Sequence, residues 1–175
     1  MIAAIVVTYF PDFSFFSNQV RALLAQVDNV IVVDNGSGVV FKSWVEKNID
    51  SKNFYFLAQG ENLGIAEAQN IGVRFAEKLN SEHVIFFDQD SLPGPDMIEK
   101  LMAALKRLQS ENVVVAAVAP CYRDSDSSEL SGFVRIGLFR FQQSYGDSSD
   151  SVVEADFLIA SGAIVTGKQI GRAHV

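Results

Sequence analysis

Short, unbroken apolar runs alternate with helix-spaced apolar positions over the first two thirds of the chain. Ile2–Thr8 reads as a first strand, followed by Ser14–Gln26, where Phe16, Val20, Leu23, Leu24 and Val27 recur at helical spacing. Val30–Val33 reads as a second strand, closed by the turn-forming run Asp34-Asn35-Gly36-Ser37-Gly38. Phe41–Lys47 predicts a short helix with Trp44 in the core, and Phe54–Leu57 a third strand. Ile65–Leu79 predicts a helix, Val84–Phe87 a fourth strand, Asp96–Leu108 a helix and Val113–Ala119 a further strand. Strands that are apolar throughout, each followed by a helix, predict an α/β domain whose mostly parallel sheet is covered by helices on both faces.

After Pro120 the pattern changes. Asp124–Ser131 and Asp147–Ser151 are polar and are expected to be exposed loops, while Phe133–Phe141, Val152–Ile159 and Gly162–Val165 carry strand propensity. This stretch is too short for a second domain and is expected to form a short mixed-strand C-terminal extension of the first. Residues 170–175, Ile170-Gly171-Arg172-Ala173-His174-Val175, continue none of this logic and resemble a translated sequencing adapter. They are expected to be a non-native tail on a single domain, residues 1–169, that is cut in mid-domain, so His174 is given no role.

Composition narrows the function. A chain of 175 residues has the length of one domain with one core. With 49% hydrophobic and 20% charged residues, it is too apolar for disorder and too charged for a membrane bundle. A net charge of −7 without a basic stripe argues against nucleic acid as a partner, yet allows a phosphorylated ligand whose charge a divalent cation offsets. The single cysteine, Cys121, excludes intrachain disulfides and cysteine-based zinc sites, and is expected in the core. No apolar run reaches the roughly 20 residues that span a bilayer. The apolar start, Met1–Val7, lacks both a basic lead-in and a small-residue cleavage site, so a cytoplasmic protein is expected.

In an open parallel sheet, ligands bind beyond the carboxyl ends of the strands. The polar clusters fall at those ends: Thr8-Tyr9, Asp34-Asn35-Gly36-Ser37, Asn62 with Gly64, and Asp88 with Asp90. The last is the sharpest signal, a buried strand ending in two carboxylates at i and i+2. Such hard oxygen donors suit Mg²⁺ or Mn²⁺, and two acids at a sheet edge repel one another unless something cationic pairs them. The plainer alternative is a helix-capping turn before Pro95. Asp34 either closes a tight turn or accepts hydrogen bonds from a base or ribose. Gly64 permits close backbone approach, and the helix start at Ile65 offers free N–H groups to a phosphate. Asn70 serves equally as packing residue or ligand contact; Arg74 is expected to be solvated and His83 structural. The loop after the first strand lacks the glycines of a dinucleotide turn, and no P-loop, nucleophile elbow or metal-binding histidine pair occurs.

Together these motifs resemble glycosyltransferase family 2, whose GT-A fold transfers a sugar from a nucleotide diphosphate. The matching segments are Val6-Val7-Thr8-Tyr9, Val32-Val33-Asp34-Asn35-Gly36-Ser37, Asn62-Leu63-Gly64-Ile65-Ala66 through Asn70, and Phe86-Phe87-Asp88-Gln89-Asp90-Ser91. Ala155-Asp156-Phe157-Leu158-Ile159-Ala160-Ser161-Gly162 looks like the acceptor-side strand of the rhamnosyltransferase branch, placing Ser161 and Gly162 on the acceptor side. The resemblance runs from about Met1 to Thr166, with its elements in the family's order. It implies an inverting transfer from a nucleotide-sugar donor, dTDP-L-rhamnose, to a surface-polysaccharide or lipid-linked acceptor, with peripheral membrane association at the inner face. By the same resemblance Thr8, Tyr9, Asp34, Asn62, Gly64 and Asp88 bind nucleotide, and Asp88 and Asp90 hold Mg²⁺ or Mn²⁺, Asp90 the more direct ligand.

One departure follows. The family's catalytic base is an acid beyond the strand that Ser161–Val165 resembles, and no Asp or Glu follows Asp156 here. Asp156 comes too early in the family's order to be a strong candidate, so a donor half-site without its base, poor in transfer, is expected. Two other readings remain open. A haloacid-dehalogenase-like phosphatase uses a strand-ending D-x-D, but on its first strand and with a later acidic pair that is missing here. A nucleotide-sugar-binding module without catalysis is the other.

Overall fold

The computed structural model describes residues 1–122, 132–136, 141–144, 151–156 and 158–166. The first strand, β1 (Ile2–Thr8), is flanked on both sides by parallel neighbours, so its apolar side chains must be covered on both faces. The helix α1 (Phe13–Leu24) starts where the Asp12 carboxylate accepts from the Phe15 N–H at 2.8 Å and the Ser14 hydroxyl at 2.6 Å. Those two bonds hold the Asp12 carboxyl below its ordinary range. The chain continues through β2 (Asn29–Asp34), α2 (Val39–Asn48), β3 (Phe54–Ala58), α3 (Ile65–Lys78), β4 (His83–Asp88), α4 (Met97–Ser110) and β5 (Ala117–Val118). A hairpin, β6 (Phe133–Ile136) with β7 (Phe141–Ser144), precedes β8 (Ile164–Thr166).

The sheet order is β3-β2-β1-β4-β8-β5, with the first four strands parallel and β8 antiparallel to both its neighbours. Strand alternation sorts the core into two layers. Ala4, Val6, Val30, Val32, Ile85 and Phe87 point to the face covered by α1, α2 and α4. Ala3, Ile5, Val7, Ile31, Val33 and Val84 point to the α3 face. On the first face Phe13, Phe16, Phe41, Trp44 and Phe56 form an aromatic cluster with ring centroids 5.0–6.4 Å apart. Phe16 is fully buried, a burial that stabilises by roughly 1.5–3 kcal/mol. On the second face the small residues Ala68, Gly72 and Ala76 let α3 lie close to the sheet; a Cβ on Gly72 would stand 2.5 Å from Ile5 Cγ2.

The four parallel strands and four helices match the expected α/β layout, with helix ends shifted by up to two residues. The extension departs from expectation. Val113–Ala119 is a strand only at Ala117–Val118, because the preceding residues close α4: Asn112 adopts a left-handed conformation (φ 61°) and the Val113 N–H reaches back to the Leu108 carbonyl at 3.0 Å. Val114 is consequently 91% exposed. Phe133–Phe141 is not one strand but contributes β6 and the first residue of β7. The described part of Val152–Ile159 forms no strand, and Val152 and Ile159 at its two ends are exposed. Gly162–Val165 becomes a strand only from Ile164, since Ser161 and Gly162 form a turn. Cys121 is half-buried and burial raises its thiol pKa. The expected loops over 124–131 and 147–150, and the expected tail at 170–175, lie outside the described residues.

Candidate active site

Chain order reverses at β1 and β4, whose exit loops depart toward opposite edges of the sheet and leave a crevice between them. There a cleft of about 490 Å³ opens, lined by residues that include Tyr9, Asn35, Asn62, Gly64, Asp88, Gln89 and Asp90. Four strand-to-helix loops thus supply one site.

Asp88 and Asp90 both face the cleft. Partial desolvation raises the Asp88 carboxyl pKa, and the negative charge of Asp90 raises it further, while the Ser161 hydroxyl opposes the shift. Ser161 Oγ also accepts from the Asp88 N–H at 3.1 Å, and the Gly162 N–H donates to the Phe86 carbonyl at 2.7 Å. The two residues expected on the acceptor side therefore lie against the end of β4, beside the acids.

The turn that carries the acids is tied from below and from the side. Gln19, fully buried on α1, donates from Nε2 to the Asp88 carbonyl at 2.7 Å and the Ser91 carbonyl at 2.5 Å. Gln89 exchanges two hydrogen bonds with the backbone of Tyr9. Neither glutamine stood out in the sequence. The available signal for Gln19 was a polar residue in the buried phase of α1, between Phe16 and Val20.

Thr8 and Asp34 lie below the cleft instead of lining it. They are register partners across β1 and β2, both buried, and Thr8 Oγ1 donates to Asp34 Oδ1 at 3.1 Å. Asp34 also accepts from the Ser37 hydroxyl, and from the Ser37 N–H at 3.1 Å. The Ser37 Oγ in turn accepts from the Phe10 N–H at 2.8 Å. Asp34 thereby fastens the loops after β1 and β2 together, the turn-forming role weighed for it above. Tyr9 projects from that fastened loop, half-exposed, with its ring edge-on to Phe10.

Asn35 was also missed as more than a turn residue. It lines the cleft while 4% exposed, and its side chain bridges to the loop after β3. Asn70 is exposed on α3, and Arg74 pairs with Glu67 at 2.6 Å on the helix surface. His83 sits at the opposite end of β4, where desolvation lowers its pKa. Asp156 is not among the cleft-lining residues; its N–H donates to the Val134 carbonyl at 3.0 Å.

The donor set fits a hard divalent cation. Two carboxylates share the cleft, and no cluster of three or more His, Cys, Asp or Glu occurs among the described residues. A cation there would keep open positions for water and ligand oxygens.

The sequence profile of glycosyl transferase family 2 matches residues 4–157, which carry all four loops of the cleft. The chain belongs to that family. Over 127 residues this family member is 35% identical to the dTDP-rhamnosyl transferase RfbF of Shigella flexneri, covering 73% of this chain and 40% of the relative. Its fold is shared with S. aureus TarS residues 1–349, at a TM-score of 0.61 and 18% identity, over 94% of this chain and 46% of that one. The mannosyltransferase PcManGT of Pyrobaculum calidifontis, solved with GDP-Man and Mn²⁺, matches at a TM-score of 0.55 and 25% identity, over 70% of this chain and 35% of that one. The chain thus spans less than half the length of these relatives. The expected GT-A architecture is the one observed. No described helix is long and apolar enough to cross a membrane.

Proposed function

We propose that residues 1–169 form the donor-binding part of a glycosyltransferase, which takes a sugar from a nucleotide diphosphate. The observation that carries the reading is the convergence of Asp88 and Asp90 on the same crevice as Tyr9, Asn62 and Gly64, across the reversal point of the sheet. Asp88 and Asp90, which both line the cleft, would hold Mg²⁺ or Mn²⁺, with Asp90 the more direct ligand. When bound, the cation neutralises charge on the departing diphosphate as the anomeric carbon becomes electron-poor.

The chain's own residues do the rest. Gln19 and Gln89 hold the acidic turn against α1 and the β1 loop. Thr8, Asp34 and Ser37 fix the floor beneath the nucleoside, so their part in nucleotide binding is exercised through Tyr9 and the loop backbone. Asn62 and Gly64 present polar groups at the far wall. Ser161 and Gly162 border the acids where an acceptor would approach.

Similarity to a dTDP-rhamnosyl transferase favours dTDP-L-rhamnose as donor; an inverting transfer and a surface-polysaccharide or lipid-linked acceptor met at the cytoplasmic face of a membrane rest on the family resemblance of the sequence motifs alone. Asp156 stays a weak candidate for the base, since it lies off the cleft. Titration calorimetry with dTDP and UDP, each with and without Mn²⁺, tests the reading. Cation-dependent binding is expected, tighter for dTDP; no binding under any of the four conditions overturns it.

A further inference from the structure

The ladder between β4 and β8 stops short of the acids. Ile85 is matched by Ile164, and the chain that leads into β8 crosses the end of β4 as a turn, with one parallel bridge between Phe86 and Ser161. The Gly162 N–H donates to the Phe86 carbonyl at 2.7 Å. Two residues on, the Asp88 N–H points to the same side of the strand and is met by a side chain instead of a strand carbonyl: Ser161 Oγ accepts from it at 3.1 Å. The same hydroxyl is also hydrogen-bonded to the Asp88 carboxylate. A hydroxyl carries one proton and two lone pairs, so Oγ accepts from the N–H while it donates to the carboxylate. The backbone and the side chain of Asp88 thus rest on one atom.

The backbone around Ser161 is held without help from that hydroxyl. Gly162, at φ 82°, packs so closely that an added Cβ would stand 3.1 Å from Pro120 Cγ and 3.7 Å from Met97 Cε. The Ala163 N–H closes the turn on the Ala160 carbonyl at 3.1 Å, and β8 then runs between β4 and β5. Gln19 and Gln89 bond to backbone groups, so they fix the path of the acidic turn and leave the carboxylates free to rotate. An untied aspartate at an open cleft samples several staggered rotamers, and its affinity for a ligand falls by the fraction of time it spends in the binding one.

We propose that Ser161 is a positioning residue for the cation site: its hydroxyl locks the Asp88 side chain in the orientation that shares a divalent cation with Asp90, and so makes donor binding depend on the turn at residues 160–163. The inference rests on the donor-site reading above. Loss of a hydrogen-bonding partner behind a metal ligand typically weakens binding about 10–100-fold.

The experiment is calorimetric titration of dTDP at fixed Mn²⁺, with thermal unfolding followed in parallel. Ser161→Ala is expected to weaken dTDP binding about 10–100-fold. Its Tm should fall by no more than about 4 °C, because the backbone ties of the turn remain. Ser161→Thr keeps the hydroxyl and should bind as wild type does. In an Asp88→Ala background, where no carboxylate is left to hold, Ser161→Ala should cost less than about threefold, a coupling that a merely structural serine would not show. Should Asp88→Ala leave no measurable binding, the contrast between Ser161→Thr and Ser161→Ala decides alone. Ser161→Cys, a poor hydrogen-bonding group, supplies the same measurement should Ser161→Ala not fold. Wild-type affinity in Ser161→Ala, an equal loss in both backgrounds, or a Ser161→Thr variant as weak as Ser161→Ala overturns the inference and leaves the donor site standing. Absence of dTDP binding by folded wild type overturns the donor site itself.

Discussion

The side chain of Gln89 pairs with the backbone of Tyr9 in both directions: Oε1 accepts from the Tyr9 N–H at 2.7 Å and Nε2 donates to its carbonyl at 3.2 Å. The middle residue of Asp88-Gln89-Asp90 thus bridges the two loops that part at the sheet's reversal point. Gln89→Ala removes both bonds and is expected to cost about 1–2 kcal/mol in urea unfolding. It should also weaken cation-dependent nucleotide binding severalfold, measured by calorimetry. An affinity equal to wild type would show the bridge to be incidental to the site.

The raised carboxyl pKa of Asp88 gives a signed expectation. Desolvation and then the Asp90 charge disfavour its ionised form in the folded protein. The stability it contributes is therefore present below the ordinary carboxylate range and is lost as pH rises through the raised value. Asp88→Asn should accordingly match or exceed wild type in thermal stability at neutral pH, with the difference shrinking in acid. Mn²⁺ affinity of wild type should rise as pH rises through the same range, because the cation displaces the proton. Asp90→Asn should cost far more in nucleotide binding with Mn²⁺ than in stability; equal losses in both would mark a structural carboxylate.

Gly36 and Gly38 separate backbone conformation from crowding. Both hold positive φ, 100° and 87°, which an alanine tolerates poorly. A Cβ on Gly36 also meets Glu61 and Asn62 backbone atoms at 2.9–3.1 Å, whereas one on Gly38 meets nothing within 4 Å. Gly38→Ala should cost about 1 kcal/mol, and Gly36→Ala about 1–3 kcal/mol more. Only Gly36→Ala should weaken nucleotide binding as well, since it forces the Asn35 and Asn62 loops apart.

Gln19 is a polar residue that the core cannot replace by an apolar one. Gln19→Leu keeps the volume but strips the Asp88 and Ser91 carbonyls of their donor. A loss of about 1–3 kcal/mol in stability is expected, together with weaker Mn²⁺ binding as the acidic turn loosens. Unchanged stability would mean that water or the buried, unpartnered Gln19 Oε1 leaves room for another arrangement.

The strands β1, β2 and β4 were legible because burial on both faces leaves a continuous apolar run such as Ala3-Ala4-Ile5-Val6-Val7, while the half-buried edge strand β3 showed through the run Phe54-Tyr55-Phe56-Leu57. The helices showed their covered side through spacing, as in Phe16, Val20 and Leu23. The extension was not legible, because Val113, Val114 and Val152 are apolar yet exposed, and β-branched residues outside a sheet look the same as those within one. The acidic pair was visible because carboxylates interrupt an apolar strand; the bridging roles of Asn35, Gln19 and Gln89 were not, since each bonds to a loop distant in the chain.

The order of apolar and polar residues by itself determined the α/β layering and the end of the sheet where the polar loops gather, since the apolar runs and helical spacing mark what each element buries. Which polar groups face the cleft was decided by tertiary structure alone. Thr8 and Asp34 turn their side chains to each other beneath the floor, while Asn35, far along the chain from Asn62, donates to that residue's amide oxygen. Hydrogen bonds between loops depend on where the packed strands bring them, and no local pattern in a chain records a partner 27 residues away.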